Sequence, residues 1–309
     1  MSKTAILSLA ALAMLGSVLG SVLAEAAQGD RLRARLEQRQ GASAAPALPG
    51  GQTISYGSDP LQVLDFWRAR GAGGPAPLVI YVHGGGWKRG SKDNATGQWK
   101  APHYTAAGYG FASINYRLVP QATVEQQAAD VAASLKSLLD RAGELGIDRT
   151  RVVLMGHSAG AHLVALVGTD ARYLRGVGLS LADIDGVIPI DGAAYDVPAQ
   201  MRLAGPMMMK TYVQAFGTEP ERQRALSPTF QAAAPNAAAF LVPHVQRKDG
   251  AAQSNELAAT LSRAGTPAET ASFPGEGLQG HAEINRRMGD PDYAATPVVD
   301  AWLKRVFGK

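Results

Sequence analysis

The chain has 309 residues, 46% of them hydrophobic, with a formal net charge of +4. That is apolar material for one large core, so a single domain is the simplest count. Residues 30–39 alone hold four arginines against two acids, which leaves little electrostatic support for a nucleic-acid partner. The absence of cysteine excludes disulfides, a thiol nucleophile and cysteine metal sites.

The N-terminus carries Lys3, an apolar stretch from Ala5 to Leu23, and the small residues Ala24, Ala26 and Ala27. This anatomy predicts a signal peptide over 1–26 and an exported protein, periplasmic or extracellular, with no stable membrane span once the segment is removed. The Gly and Ser residues at 16, 17, 20 and 21 weaken the rival reading of an uncleaved anchor. Residues 27–52 follow as a linker or arm. They comprise an Arg-rich stretch, which a solvated helix explains, and a Gly/Ala/Pro-rich segment with little to bury.

The domain is expected over 53–309. TISYG and LQVLDFW predict an antiparallel hairpin at a sheet edge, and LVIYVHGG, GFASINYRL, RVVLMGHSAG, GVIPIDGA, AFLVPHV and ETASFPG predict strands buried on both faces. Val124, Ala128, Val131, Leu135, Leu138 and Leu139 recur at helical spacing between two of these runs. Such alternation predicts a mostly parallel, doubly wound sheet with helices on both faces. The interval of about 195–235 has no obvious strand and sits where a small cap would be inserted. Its Met207, Met208 and Met209 suit either an adaptable acyl pocket or the packing of a cap helix.

Gly156, His157, Ser158, Ala159 and Gly160 spell G-x-S-x-G between the apolar run RVVLM and the helical pattern AHLVALVG. In that context the serine sits on a strained strand-to-helix turn, with its hydroxyl at the sheet edge above a helix N-terminus, so Ser158 is the candidate nucleophile. His157 and His162 are expected to pack or hydrogen-bond, because the sharp turn denies them a shared metal-binding face. After the first long apolar run comes His83-Gly84-Gly85-Gly86-Trp87. Consecutive glycines let the main chain approach a developing oxyanion, so the N–H groups of Gly85, Gly86 and Ala159 are the candidate donors, with His83 and Gly84 supporting the loop. The segment lacks the Lys and Ser/Thr of a phosphate-binding loop.

Acyl transfer at such a serine needs a histidine late in the chain and an acid between the two. His281 meets the first requirement; His244 lies within an apolar run, before any plausible acid. Asp249, in the loop after AFLVPHV, is favoured as the acid that orients His281, with Asp191 and Asp196 as rivals one strand earlier.

With these residues in view, the chain resembles the bacterial α/β-hydrolase carboxylesterases that carry an HGGGW oxyanion motif, related to hormone-sensitive-lipase-like esterases and kynurenine formamidases. The resemblance spans roughly 53–307 and rests on HGGGW at 83–87, SINYRL at 113–118, GHSAGAHL at 156–163, RKDG at 247–250 and GHAEINRRMG at 280–289. It implies an α/β-hydrolase fold, an acyl-serine intermediate, no cofactor, no metal, and Ser158, Asp249 and His281 as triad. Here the acid loop is shorter and less acidic than in many relatives. The expected substrate is a small-molecule ester with a small, medium or aromatic acyl group, and Trp87 and Tyr116 are candidate pocket walls. An arylformamidase or amidase with the same triad is the second reading, and a non-catalytic binding module, which no missing triad member supports, is the third. The sequence leaves the oligomeric state open.

Overall fold

The computed structural model describes residues 50–93 and 98–308; the expected signal peptide and nearly all of the linker lie outside them. Eight strands form one sheet: β1 (Gln52–Ser55), β2 (Val63–Trp67), β3 (Ala76–Val82), β4 (Gly110–Ile114), β5 (Ile147–His157), β6 (Gly186–Ile190), β7 (Phe240–Val245) and β8 (Ala268–Phe273). Their order is β1-β2-β4-β3-β5-β6-β7-β8. The expected hairpin is β1–β2, with Gln52 opposite Phe66, and β2 runs antiparallel to β4. All later neighbours are parallel.

Side-chain alternation along β3 explains why its sequence is apolar throughout. Leu78, Ile80 and Val82 enter the core on one face, with the helices Val124–Asp140 and Ala159–Thr169. Val79 and Tyr81 enter the core on the other face, against Ile284, Met288 and the C-terminal helix Ala295–Phe307. A strand covered on both sides has no polar face to show. The helix Val124–Asp140 begins at a reciprocal capping box between Thr123 and Gln126, which satisfies two end donors and fixes its start.

The interval between β6 and β7 holds four short helices, Val197–Leu203, Pro206–Phe216, Pro220–Ala225 and Pro228–Gln231. Each has proline in its first turn, where its missing N–H costs nothing. Asp196, one rival for the catalytic acid, caps the first of them by accepting the N–H of Ala199 at 2.8 Å. Among the described residues no helix is long and apolar enough to cross a membrane.

Candidate active site

The run RVVLMGHSAG does not continue as a strand: β5 ends at His157 and the helix begins at Ala159. Between them Ser158 takes φ 57 and ψ −117, an unusual backbone for a residue with a side chain. Both flanking glycines are required by contact. A Cβ on Gly156 would stand 2.4 Å from the Gly160 oxygen, and one on Gly160 would stand 2.1 Å from the Val82 oxygen. The turn therefore closes only because these two residues lack side chains, and closing it aims Ser158 at the carboxyl edge of the sheet.

Across from the serine, the loop after β3 presses its main chain close. A Cβ on Gly84 would lie 2.9 Å from Ser158 Cβ, and one on Gly85, which has φ 129, would lie 2.0 Å from the Arg89 oxygen. The N–H groups of Gly85 and Gly86 have no acceptor among the described residues, and the first N–H groups of the helix that starts at Ala159 lack intrahelical partners by construction. These donors all border one cavity of about 640 Å³, which Ser158 and His281 also line.

His83 holds the loop from beneath. Its Nδ1–H donates to the Gly84 oxygen at 2.7 Å, and its ring stacks on Tyr116 at 4.3 Å. Burial keeps its imidazole neutral, with the pKa lowered to about 4. Tyr116, expected at a pocket wall, is instead fully buried and donates its hydroxyl to the His83 oxygen at 3.0 Å. The phenol, two residues past the end of β4, braces the oxyanion loop and does not line the cavity. Trp87 does line it, in a left-handed conformation with φ 62. Its indole N–H donates to His162 Nδ1 at 3.3 Å, and its edge meets Phe216 at 4.7 Å. His162 in turn donates from Nε2 to the Leu226 oxygen at 2.7 Å, joining the serine's helix to the segment between β6 and β7, and burial lowers its pKa to about 4.

The structure corrects the expected acid. His281 Nδ1 lies 2.5 Å from Asp191 Oδ2, and Asp191 is fully buried. Its other oxygen accepts the Val245 N–H at 3.2 Å, and Arg247 Nε stands 3.5 Å from Oδ2. Asp249 makes no contact with His281. Two residues past the Arg247 cap, it falls in the first turn of the helix Lys248–Arg263, where Oδ2 accepts from Gln200 Nε2 at 3.1 Å and Arg247 Nη1 at 3.2 Å. Arg247 bridges the two carboxylates, 3.5 Å from Asp191 Oδ2 and 3.2 Å from Asp249 Oδ2. Asp191 follows β6 directly and turns its carboxylate over with φ 42. An acid immediately past a buried strand is the signal that could have favoured it, because ligand-facing groups of parallel sheets cluster at strand carboxyl ends.

His157 hydrogen-bonds, as expected, and its partner is the main chain of His281. Its Nε2–H donates to the His281 main-chain oxygen at 2.9 Å, with the two rings 4.4 Å apart. Burial, reinforced by the neighbouring His281, holds its pKa well below the ordinary value. The Ser158 hydroxyl is not hydrogen-bonded to the imidazole, and proton transfer between them requires that contact to close. At the mouth, Leu203, Met208 and Leu278 are exposed at 72%, 43% and 80% and give the entrance an apolar rim. Met207 does not line the cavity, and Met209 packs instead against the core.

The BD-FAE family model matches residues 64–195, from β2 to just beyond β6. Esterase LipC of Mycobacterium tuberculosis is 32% identical over 204 residues, covering 63% of this chain and 50% of that protein. A probable isoprenylcysteine alpha-carbonyl methylesterase of Oryza sativa is 33% identical over 131 residues, covering 42% and 31%. The chain thus spans half or less of the length of these curated relatives. Among solved structures, an inhibited esterase B from Lactobacillus rhamnosis superposes with a TM-score of 0.70 at 21% identity, covering 91% of this chain and 95% of that one. A truncated carbohydrate esterase from gut microbiota gives 0.71 at 19% identity, covering 86% and 98%. Sheet order, the turn at Ser158 and these likenesses agree on an α/β-hydrolase fold.

Proposed function

We propose that the chain is a serine carboxylesterase acting on esters with small, medium or aromatic acyl groups through an acyl-serine intermediate. One observation carries this reading: a fully buried carboxylate, Asp191, bonded to His281 at the edge of the cavity that also holds Ser158 and a glycine loop whose N–H groups find no acceptor among the described residues. Asp191 accepts the Nδ1–H and so leaves Nε2 bare to act as base. Ser158 Oγ attacks the ester carbonyl while His281 takes its proton. The oxyanion that forms accepts hydrogen bonds from Gly85, Gly86 and Ala159. Collapse breaks the bond to the alcohol oxygen, which leaves with the proton from His281. Water then repeats the sequence on the acyl-serine and releases the acid.

Relatives named as esterases and the apolar rim support a carboxylic ester as substrate. We further place the enzyme outside the cytoplasm, a reading supported by the apolar N-terminal segment alone. The test is release of p-nitrophenol from acetate, butyrate and octanoate esters by wild type and Ser158→Ala. Turnover that vanishes in the variant is the expected result. A folded wild type inert on all three esters but active on an aryl formamide would shift the assignment to the amidase reading.

A further inference from the structure

Lys100 is fully buried and pairs with no carboxylate among the described residues. Burying an ammonium group without an opposite charge is costly, and a lysine that persists there needs a reason. Burial alone pulls its pKa down to about 7. Its Nζ donates to the main-chain oxygen of Asn285 and sits 4.8 Å from the centre of the Tyr81 ring. Tyr81, on β3, donates its hydroxyl to Asn285 Oδ1.

Asn285 lies one helical turn beyond His281, on the helix Gly277–Arg287, and lines the cavity. The opening residues of that helix are exposed: Gly277, Leu278 and Gln279 bury nothing, and Glu276 provides no side-chain cap. Its firm packing begins only at Gly280 and Ile284. Beside the packing of Ile284, the turn between His281 and Asn285 is gripped by three polar side chains: His157 on the His281 oxygen, Tyr81 on the Asn285 amide, and Lys100 on the Asn285 oxygen. Asp191 fixes the direction of the imidazole; these three fix where along the helix axis it stands.

We propose that Lys100 is a positioning residue for His281, acting through the Asn285 main chain to hold the imidazole in line with Ser158, and that it is retained at the expense of fold stability. The inference rests on the esterase reading above. Misplacing a catalytic group by about an ångström can cost on the order of a hundredfold in rate, while exchanging buried charged groups for apolar ones of similar size is often neutral or stabilising to a fold.

The test is Lys100→Met, assayed on p-nitrophenyl butyrate with active serine counted by phosphonate titration. The expected result is a kcat per active serine lowered about tenfold, a KM unchanged within about twofold, and a thermal midpoint equal to or above that of wild type. Tyr81→Phe, which leaves the lysine in place, should show the same loss confined to kcat. Because both act on one residue, the double variant should lose less than the product of the two. A normal kcat per active serine in Lys100→Met with a lowered midpoint would make the lysine a packing residue and overturn the proposal. Were Lys100→Met to fold poorly, a normal kcat in Tyr81→Phe would overturn it equally. Failure of the esterase reading is distinct, since wild type itself would then lack turnover that depends on Ser158.

Discussion

The turn at Ser158 and the pair at His281 are built from different materials. The turn is made of main chain: Gly156 meets Gly160, Gly160 meets the end of β3, and Gly84 meets the serine itself, at separations that no side chain could share. The pair is made of side chains from distant segments, a carboxylate at the end of β6 and an imidazole 90 residues later, set in register by Val245, Arg247 and His157. Steric exclusion tolerates no substitution but leaves little to adjust. Hydrogen-bonded side chains can be exchanged one at a time, so the two regions should fail in different ways.

The sharpest contrast lies within the pair. Asp191→Asn keeps the shape but presents the wrong tautomer of His281, and kcat should fall by roughly 10⁴-fold while the thermal midpoint moves little. Asp249→Asn should keep kcat within about threefold on the same p-nitrophenyl ester, because Gln200 can still donate to the amide oxygen. The reverse ranking in a side-by-side kinetic comparison would return Asp249 to the triad. Within the turn, Gly160→Ala drives a methyl into the Val82 oxygen and should destabilise the fold by several kcal/mol, at or beyond the usual 1–3 kcal/mol for overpacking. Its signature is loss of soluble protein or a large drop in thermal midpoint, without a selective effect on kcat. A soluble variant with a normal midpoint would show that the turn can relax.

A smaller effect touches both regions through protons. His83, His157 and His162 are buried and neutral, with pKa values lowered to about 4 for His83 and His162. In the unfolded chain they titrate near 6.5. Their contribution to stability is therefore complete above about pH 6.5 and declines as the pH falls from there toward 4, because only the unfolded state takes up protons in that window. The thermal midpoint should fall between those values; a flat profile would mean that these imidazoles protonate in place.

The main-chain region was legible in the sequence because its constraints are local. Glycines at fixed offsets between an apolar run and a helical pattern admit few conformations, so Ser158, the glycine loop and the alternation of strands and helices could all be placed. The side-chain region was legible only in part. His281 followed from chain order, but Asp191 and Asp249 end neighbouring strands, and the choice between them depends on how β6 curls at its last residue and on where Arg247 folds. Tyr116 was misplaced for a similar reason: nothing in SINYRL tells which way the chain turns after β4. Lys100 had no pattern around it, since its partners come from the far end of the chain.

The apolar rim of Leu203, Met208 and Leu278 has a calorimetric consequence. An ester that seats in the cavity covers this exposed rim and removes ordered water from it, so association should carry a negative heat-capacity change and grow more exothermic on warming. An inert ether analogue titrated into Ser158→Ala at several temperatures would separate that heat from the heat of catalysis, and would show how much of the affinity is due to the entrance and how much to the catalytic centre.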